Sequence, residues 1–301
     1  MESKNLKKKQ LLISFSGGRT SAYMTKLLLE KLDKNIYETI VVFANTGKER
    51  EETLEFIKDC DENFGFNTIW VECITDMVHG NGVKAKVINF ETASRNGEPF
   101  EENIKKHGIS NINTPICTRE LKTYTINAYM RQIGWKKYYR AIGIRVDEID
   151  RVNANYKKER IIYPLVSMFP SRKQDVNKFW SEQPFDLKLK GYEGNCDCCY
   201  KKSLRKLLTI AVERPELFQW WIDMEKKYEN YVPKSRNTEN VKLPLRFFRG
   251  NLSASDILEM SKTFTDFARD DSKDVVKYVQ FNLFGNDLDV SNGCSESCEP
   301  F

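Results

Sequence analysis

A short apolar run that ends in two glycines and leads into an amphipathic stretch restricts the fold of this chain more than any other feature. Residues 10–15 read QLLISF, Ser16-Gly17-Gly18 follows, and residues 20–32 then place apolar side chains at the spacing of one helix face. This order predicts a strand, a glycine turn and a helix. A strand that passes directly into a helix is typical of α/β units with parallel strands.

The same alternation continues through the first half of the chain. A weaker stretch at residues 87–108 predicts a short strand, a polar turn at residues 95–97 and a helix. Elsewhere, strands are predicted at residues 39–44, 68–73, 137–144 and 161–165, and helices at residues 49–64 and 119–133. The pattern predicts an α/β fold with a doubly wound, mainly parallel sheet and helices on both faces.

Helical patterns dominate beyond Pro170. They cover residues 204–212, 216–228 and 254–267, with a polar linker at residues 233–240. We therefore expect an α/β domain over residues 1–170. The cysteine loop and helical C-terminal region, residues 171–301, are expected to pack on it.

The composition narrows the class of protein. The 301 residues are 40% hydrophobic and 30% charged, which is typical of a globular chain. No run approaches the ~20 apolar residues of a membrane-spanning helix, and nothing indicates secretion. We therefore expect a cytoplasmic protein with no membrane association, in which the eight cysteines are thiols or metal ligands.

The glycine turn has the chemistry of a phosphate site. Backbone N–H groups and the positive end of the helix would face an anion there, and glycine lets it approach closely. Ser16, Thr20 and Ser21 add hydroxyl donors, and Arg19 adds a charge. The lysine of a Walker loop is missing, which disfavours γ-phosphate transfer. The alternative is a tight turn without a ligand.

Four later segments accompany the glycine loop, residues 16–21: residues 43–47 (FANTG), 117–122 (CTRELK), 141–151 (AIGIRVDEIDR) and 194–199 (GNCDCC). Together the five resemble the phosphoadenosine phosphosulfate (PAPS) reductase family of the PP-loop, or adenine nucleotide alpha-hydrolase, superfamily. The loop resembles its SGGx[DT]S segment, and the other four resemble its Asp-Thr-Gly, lysine, arginine and Cys-x-x-Cys segments, in the expected order. The resemblance implies that residues 1–170 form a PP-loop domain that binds ATP or a PAPS-type adenine nucleotide. Thr20 departs from the Asp that many relatives carry.

The end of the second strand borders the same crevice as the glycine loop. Asn45, Thr46 and Gly47 are therefore expected to contact the adenosine part of the nucleotide. The alternative is a helix cap, with Thr46 at the N-cap and Glu49 complementing the helix dipole. The two roles are compatible.

Three cations in the resembling segments are candidate catalytic residues. Arg119, Lys122 and Arg145 would hold phosphate or sulfate oxygens, and Mg²⁺ would help them to stabilise a departing pyrophosphate. Arg151 lies six residues after Arg145. It has acidic neighbours, so an internal salt bridge is the competing interpretation.

The resemblance also implies a metal centre. Cys117, Cys196 and Cys199 would ligate a [4Fe-4S] cluster, with Cys198, Cys294, Cys298 or an open site as the fourth position. Ile116 stands where cluster-bearing reductases carry the first cysteine of a tandem pair. Structural zinc and free thiols are the alternatives, because thiolates serve both metals.

The resemblance predicts an enzyme of nucleotide-dependent sulfur chemistry. ATP would be cleaved between its α- and β-phosphates to activate an acceptor, with a sulfur donor protein as partner and a nucleic acid as one candidate acceptor. Two alternatives stay open. One is a true sulfonucleotide reductase with a C-terminal cysteine nucleophile, and the other is a non-catalytic nucleotide- or nucleic-acid-binding protein with structural zinc. The oligomeric state is not determined by the sequence.

Overall fold

A six-stranded sheet forms the centre of the first half of the chain. The computed structural model describes residues 8–78, 80–233, 236 and 241–275. The strands are β1 (Lys9–Ser14), β2 (Tyr37–Asn45), β3 (Ile69–Thr75), β4 (Val83–Ile88), β5 (Tyr139–Ala141) and β6 (Ile161–Ile162). Their order in the sheet is β4-β3-β2-β1-β5-β6, and all neighbours are parallel except β3 and β4. The predicted α/β fold with a mainly parallel sheet is therefore confirmed.

The helices of the described residues fall into two groups. Those of the α/β part are α1 (Arg19–Lys31), α2 (Glu51–Phe64), α3 (Glu98–His107), α4 (Thr125–Gln132), α5 (Pro164–Ser167) and α6 (Lys173–Ser181). Those of the C-terminal part are α7 (Leu204–Glu213), α8 (Gln219–Tyr228) and α9 (Ala254–Ser261). The helix predicted at residues 254–267 is thus shorter in the structure. The helix predicted at residues 216–228 begins as a 3₁₀ turn, Pro215–Phe218, and continues as α8.

The two faces of the sheet are covered by different helices because side chains alternate along each strand. Leu11 and Ile13 of β1 pack in one apolar cluster with residues of α1, α2 and α6. Leu12, between them, packs in another cluster with residues of α4. This arrangement explains why Leu11, Leu12 and Ile13 are all buried, because β1 is covered on both faces.

The predicted helix over residues 119–133 divides into two forms of helix. Cys117–Tyr124 is a π-helix that continues directly into α4. The hydroxyls of Thr123 and Thr125 donate to the carbonyls of Thr118 and Glu120, five residues earlier, at 3.2 and 2.8 Å. These side-chain contacts fit the wider turns of a π-helix, a form that often occurs at functional sites.

Two predicted strands are shorter in the structure. The strand predicted at 137–144 is β5, and the strand predicted at 161–165 is only β6. Pro164 begins α5, because proline has no N–H for a sheet but fits the first turn of a helix.

The C-terminal helices share a core with α3. Phe100 and Ile104 of α3 cluster with apolar side chains of α7, α8 and α9. Val176, Trp180, Leu187 and Leu189 instead belong to the cluster that contains β1. The division at residue 170 remains a prediction. In the described ranges, no helix has the length and apolar character required to cross a membrane.

Candidate functional site

The glycine loop, residues 16–21, joins the carboxyl end of β1 to α1. β1 lies between β2 and β5, which is the position where the strand order reverses and where open α/β sheets bind ligands. Gly143, after β5, lies close to the loop, since an added Cβ would come within 3.1 Å of Ser21 Cα. The loop therefore occupies the crevice that the sequence predicts.

Gly17 gives the loop its turn. Its φ is +81°, and an added Cβ would lie 2.6 Å from Thr53 Cγ2 and 2.9 Å from Ile57 Cδ1 of α2. Both the backbone conformation and the packing on α2 therefore require glycine. Gly18 has an extended backbone (φ −99°, ψ 161°), which other residues can adopt.

The serine hydroxyls of the loop hold its shape. Ser21 Oγ accepts from the Ser16 N–H at 3.2 Å, contacts Ser16 Oγ at 2.9 Å and donates to the Gly18 carbonyl at 3.0 Å. Gly18 is the N-cap of α1 and supplies no side-chain cap. N–H groups in the first turn of a helix have no partner within the helix, so they suit an anion at this end.

A cavity opens beside the glycine loop. Its lining includes Gly18, Thr20 and Asn195 together with four cations, Arg19, Arg145, Lys173 and Lys190. Each of the four contacts a carboxylate: Arg19 contacts Asp186 at 2.6 Å, Arg145 contacts Asp147 at 3.1 Å, Lys173 contacts Asp271 at 2.7 Å and Lys190 contacts Glu213 at 2.9 Å. The positive charges of the cavity are thus neutralised by carboxylates of the protein itself.

Arg145 is the predicted cation that contacts the glycine loop. Its Nη1 donates to Thr20 Oγ1 at 2.8 Å, and its side chain is buried. Glu148 contacts both Arg145 and Arg151. Arg151 therefore forms an internal salt bridge, which was the competing interpretation of this residue. It does not line the cavity.

Arg19 is held in a different way. Its Nε and Nη2 donate to the two carboxylate oxygens of Asp186, each at 2.6 Å. Further bonds reach the carbonyls of Leu187 and Ser272. Arg19 thus fastens the loop to two later segments of the chain.

Asn45, Thr46 and Gly47 form a bonded turn after β2. Asn45 Nδ2 donates to Glu72 at 2.6 Å and to the Ser94 carbonyl at 2.9 Å. Thr46 donates through its N–H and hydroxyl to Glu49 Oε2 at 2.7 and 2.8 Å. The N-cap of α2 is Arg50, so the prediction that Thr46 is the cap residue is wrong. Contact with adenosine stays a prediction.

The cysteine loop, residues 194–199, is tied to the glycine loop by Asn195. Its Nδ2 donates to the Ser16 carbonyl at 2.8 Å, and its own carbonyl accepts from the Arg50 N–H at 2.7 Å. Glu49 and Cys196 form an antiparallel bridge next to this contact. The sequence motif contains Asn195, but only the folded chain shows that it joins two loops 179 residues apart.

Lys122 belongs to a buried network at the cysteine loop. Its Nζ lies 3.3 Å from Glu49 Oε1 and 3.8 Å from Cys196 Sγ, and Cys196 Sγ lies 3.4 Å from Glu49 Oε1. The Glu49 side chain is fully buried. The sequence analysis did not predict this network. The three residues are far apart in the chain, and no sequence pattern indicates that their side chains are in contact. Lys122 does not line the cavity beside the glycine loop.

The contacts of the predicted metal ligands include a tyrosine hydroxyl and the network around Glu49. Cys117 Sγ lies 3.0 Å from the Tyr200 hydroxyl, whereas Cys196 lies in the Lys122 and Glu49 network. Cys198 is fully buried, and burial raises the pKa of its thiol well above the usual value. Among the described residues, no three His, Cys, Asp or Glu side chains are grouped to hold a metal ion. Ligation of a metal or cluster by Cys117, Cys196 and Cys199 stays a prediction.

Two further predictions have different outcomes. Arg119 is exposed, pairs with Glu120 at 2.9 Å and lines a separate pocket with His107 and Arg236. The structure therefore does not bring Arg119 to the cavity beside the glycine loop. Cys294 and Cys298 lie outside the described residues.

Comparisons with known proteins show which family the chain resembles. A family model described as the phosphoadenosine phosphosulfate reductase domain matches residues 10–161. The chain is similar to an uncharacterized nin region protein of Escherichia phage lambda, with 27% identity over 96% of this chain and 94% of that protein. It is also similar to two uncharacterized proteins of Methanocaldococcus jannaschii, with 25% and 23% identity over 73% and 71% of this chain. These alignments cover only 42% and 47% of the archaeal proteins.

Proposed function

This chain belongs to the phosphoadenosine phosphosulfate reductase domain family, and we propose that it cleaves ATP between the α- and β-phosphates to activate an acceptor for sulfur chemistry. The glycine loop binds the phosphates of the nucleotide. The acceptor attacks the α-phosphorus, the bond from that phosphorus to the bridging oxygen breaks, and pyrophosphate leaves with the electron pair.

One contact carries the proposal. Asn195 donates to the Ser16 carbonyl at 2.8 Å, so a loop that bears a cysteine thiol is attached to the loop that would bind phosphate. Cys196 follows directly and bonds to Glu49 within a buried network. The loop that would bind the nucleotide and the loop that carries the Cys196 thiol are thus in direct contact. Activation followed by sulfur transfer requires such an arrangement.

The residues beside the glycine loop have separate roles in this reaction. N–H groups at the start of α1 bind the phosphates, and Arg145 stabilises the negative charge that develops on the leaving pyrophosphate. Mg²⁺ enters as part of the substrate, bound to the phosphate oxygens of ATP.

Valine at position 18 tests the binding role of the loop. Gly18 lines the cavity, so we expect a valine there to take up space that the phosphates need, while the extended backbone accepts valine. We expect Gly18→Val to remain folded and to lose ATP binding in calorimetric titration. Gly17→Ala is the matched comparison, and we expect it to lower stability because its Cβ would collide with Thr53 and Ile57.

The products of turnover separate the proposal from its alternatives. Wild-type protein should bind ATP and release pyrophosphate, slowly with water as acceptor, and Gly18→Val should release none. Sulfite released from PAPS with a thiol reductant would instead identify a sulfonucleotide reductase. A wild-type protein that binds neither nucleotide would overturn the proposal.

A further inference from the structure

A basic groove lies between α4 and the strands β5 and β6. Five cations line it: Arg131, Lys136, Lys137, Arg140 and Arg160. Lys8 and Lys9 line an adjoining pocket that shares Lys136, Lys137 and Arg160 with it. No residue of either pocket lines the cavity beside the glycine loop, so this is a separate surface.

The groove has a large excess of positive charge. Glu159 is the one acidic residue in its lining, and its Oε2 accepts from Asn153 Nδ2 at 3.2 Å. Across the described chain, none of the seven cations forms a salt bridge with a carboxylate. The cavity beside the glycine loop is the opposite case, since each of its cations contacts a carboxylate. Charge left uncompensated over a continuous surface attracts a polyanion.

Arg140 and Arg160 are two of the cations that line the groove. Arg140 donates to Asn127 Oδ1 of α4, as Tyr138 does at 3.1 Å, while the buried Nε of Arg140 has no partner among the described residues. Arg160 has a φ of +56°, a conformation that is uncommon outside glycine, asparagine and aspartate. Its guanidinium lies 6.0 Å from the centre of the Tyr139 ring.

Exposed aromatic rings accompany the cations. Tyr124 lines the groove and Tyr139 lines the adjoining pocket, and their exposed fractions are 43% and 41%. Aromatic rings at a basic groove suit bases that are not paired in a duplex, because stacking needs a free base face. Tyr124 is also two residues from Lys122 on the same π-helix, so the groove adjoins an element of the candidate site.

We propose that this basic groove binds single-stranded nucleic acid, with the cations on its phosphates and Tyr124 and Tyr139 against its bases. The inference does not depend on the proposed nucleotide chemistry. If the proposed ATP cleavage is also correct, the groove would hold a polynucleotide that acts as the acceptor.

The test is fluorescence anisotropy with a labelled oligothymidylate in a salt series. Lys136→Glu/Lys137→Glu should weaken binding by about tenfold or more and reduce the slope of log K against log salt by about 1.4, since each phosphate contact on a single strand contributes roughly 0.7. Lys226→Glu/Lys242→Glu is the matched control, because it changes net charge equally at exposed lysines outside the groove. Its effect should be small.

Two more arms complete the design. Tyr124→Ala should weaken binding of the single strand more than binding of a duplex of equal length. ATP binding by the groove variants should match wild type, so that loss of oligonucleotide binding is not a folding defect. Equal weakening by the control lysine pair, or equal affinity for duplex and single strand, would overturn the proposal.

Discussion

At the scale of single residues, the cavity beside the glycine loop presents cations that already have carboxylate partners. A nucleotide phosphate must therefore replace a carboxylate or bind beside the pair. Arg145 is distinct among the four cations because it also donates to Thr20 of the loop, at 2.8 Å. A phosphate that replaces the Thr20 contact would keep Arg145 in place while gaining a charge-assisted bond.

We expect Arg145→Ala to weaken ATP binding by roughly 1.5–3 kcal/mol and to leave adenosine binding unchanged, because the lost contact is made only to the anion. Arg151→Ala is the matched control, since Arg151 contacts the same Glu148 but does not line the cavity. Calorimetric titration of both variants with ATP and adenosine measures the effect. Equal losses for ATP and adenosine would assign Arg145 to support of the fold.

Arg19 illustrates what the sequence leaves open at this scale. The motif places a positive charge in the loop, but the partner of that charge, Asp186, is 167 residues away. Lys122 is similar, since its contacts with Glu49 and Cys196 join three distant segments. A resembling motif identifies such residues without identifying their partners.

At the scale of elements, Glu225 joins α8 to the segments around it. Its carboxylate accepts the N–H groups of Phe247 at 3.1 Å and Ala254 at 2.8 Å, and thereby connects α8 to the first residue of α9. Burial is the largest influence on this group and raises its pKa to about 7, although the two N–H bonds oppose the shift. A carboxyl group between helices thus titrates near neutrality.

The stability of the C-terminal helices should therefore depend on pH. The pKa of Glu225 is higher in the folded chain than in the unfolded chain, so its protonation stabilises the fold fully below pH ~4.5, and this contribution is lost as pH rises through about 7. The difference in unfolding free energy between wild type and Glu225→Gln should fall by on the order of 3 kcal/mol from about pH 5 to 8. Urea unfolding across this range measures it, and a difference independent of pH would contradict the assignment.

At the scale of the whole molecule, one face of the sheet is covered in part by residues beyond the predicted domain boundary. Trp180 is 2% exposed and packs in the cluster that contains β1, and its Nε1 donates to the Arg19 carbonyl at 3.0 Å. Leu187 and Leu189 belong to the same cluster. The first residues after position 170 thus help to cover the face on which α1 lies.

A fragment of residues 1–170 tests whether the predicted domain is independent. It would lack Trp180, Leu187 and Leu189, so the apolar face they cover would be exposed to water. We expect the fragment to show little protection in hydrogen exchange, and Trp180→Ala in the full chain to cost about 3–5 kcal/mol in unfolding free energy. A fragment that folds cooperatively and binds ATP would establish residue 170 as a true domain boundary.

The sequence by itself determined the sheet, the glycine loop at the end of β1 and the family. These features follow from local patterns: apolar residues at strand and helix periods, and glycines where the chain turns into a helix. Such patterns could not predict the antiparallel direction of β4, because that direction depends on its pairing with β3. The π-helix was also outside them, since its apolar face resembles that of an ordinary helix.

Only the tertiary structure decided which of the predicted side chains meet. In the folded chain Asn195 bonds to Ser16, and Arg19 pairs with Asp186. Lys122 contacts Glu49 and Cys196, whereas Arg119 lies in a pocket away from the glycine loop. The tertiary structure also assembled the basic groove from residues 123–161 without any continuous basic motif. The physical reason is that a salt bridge or a buried hydrogen bond depends on distances of 3–4 Å between segments far apart in the chain, and residue periodicity carries no information about those distances.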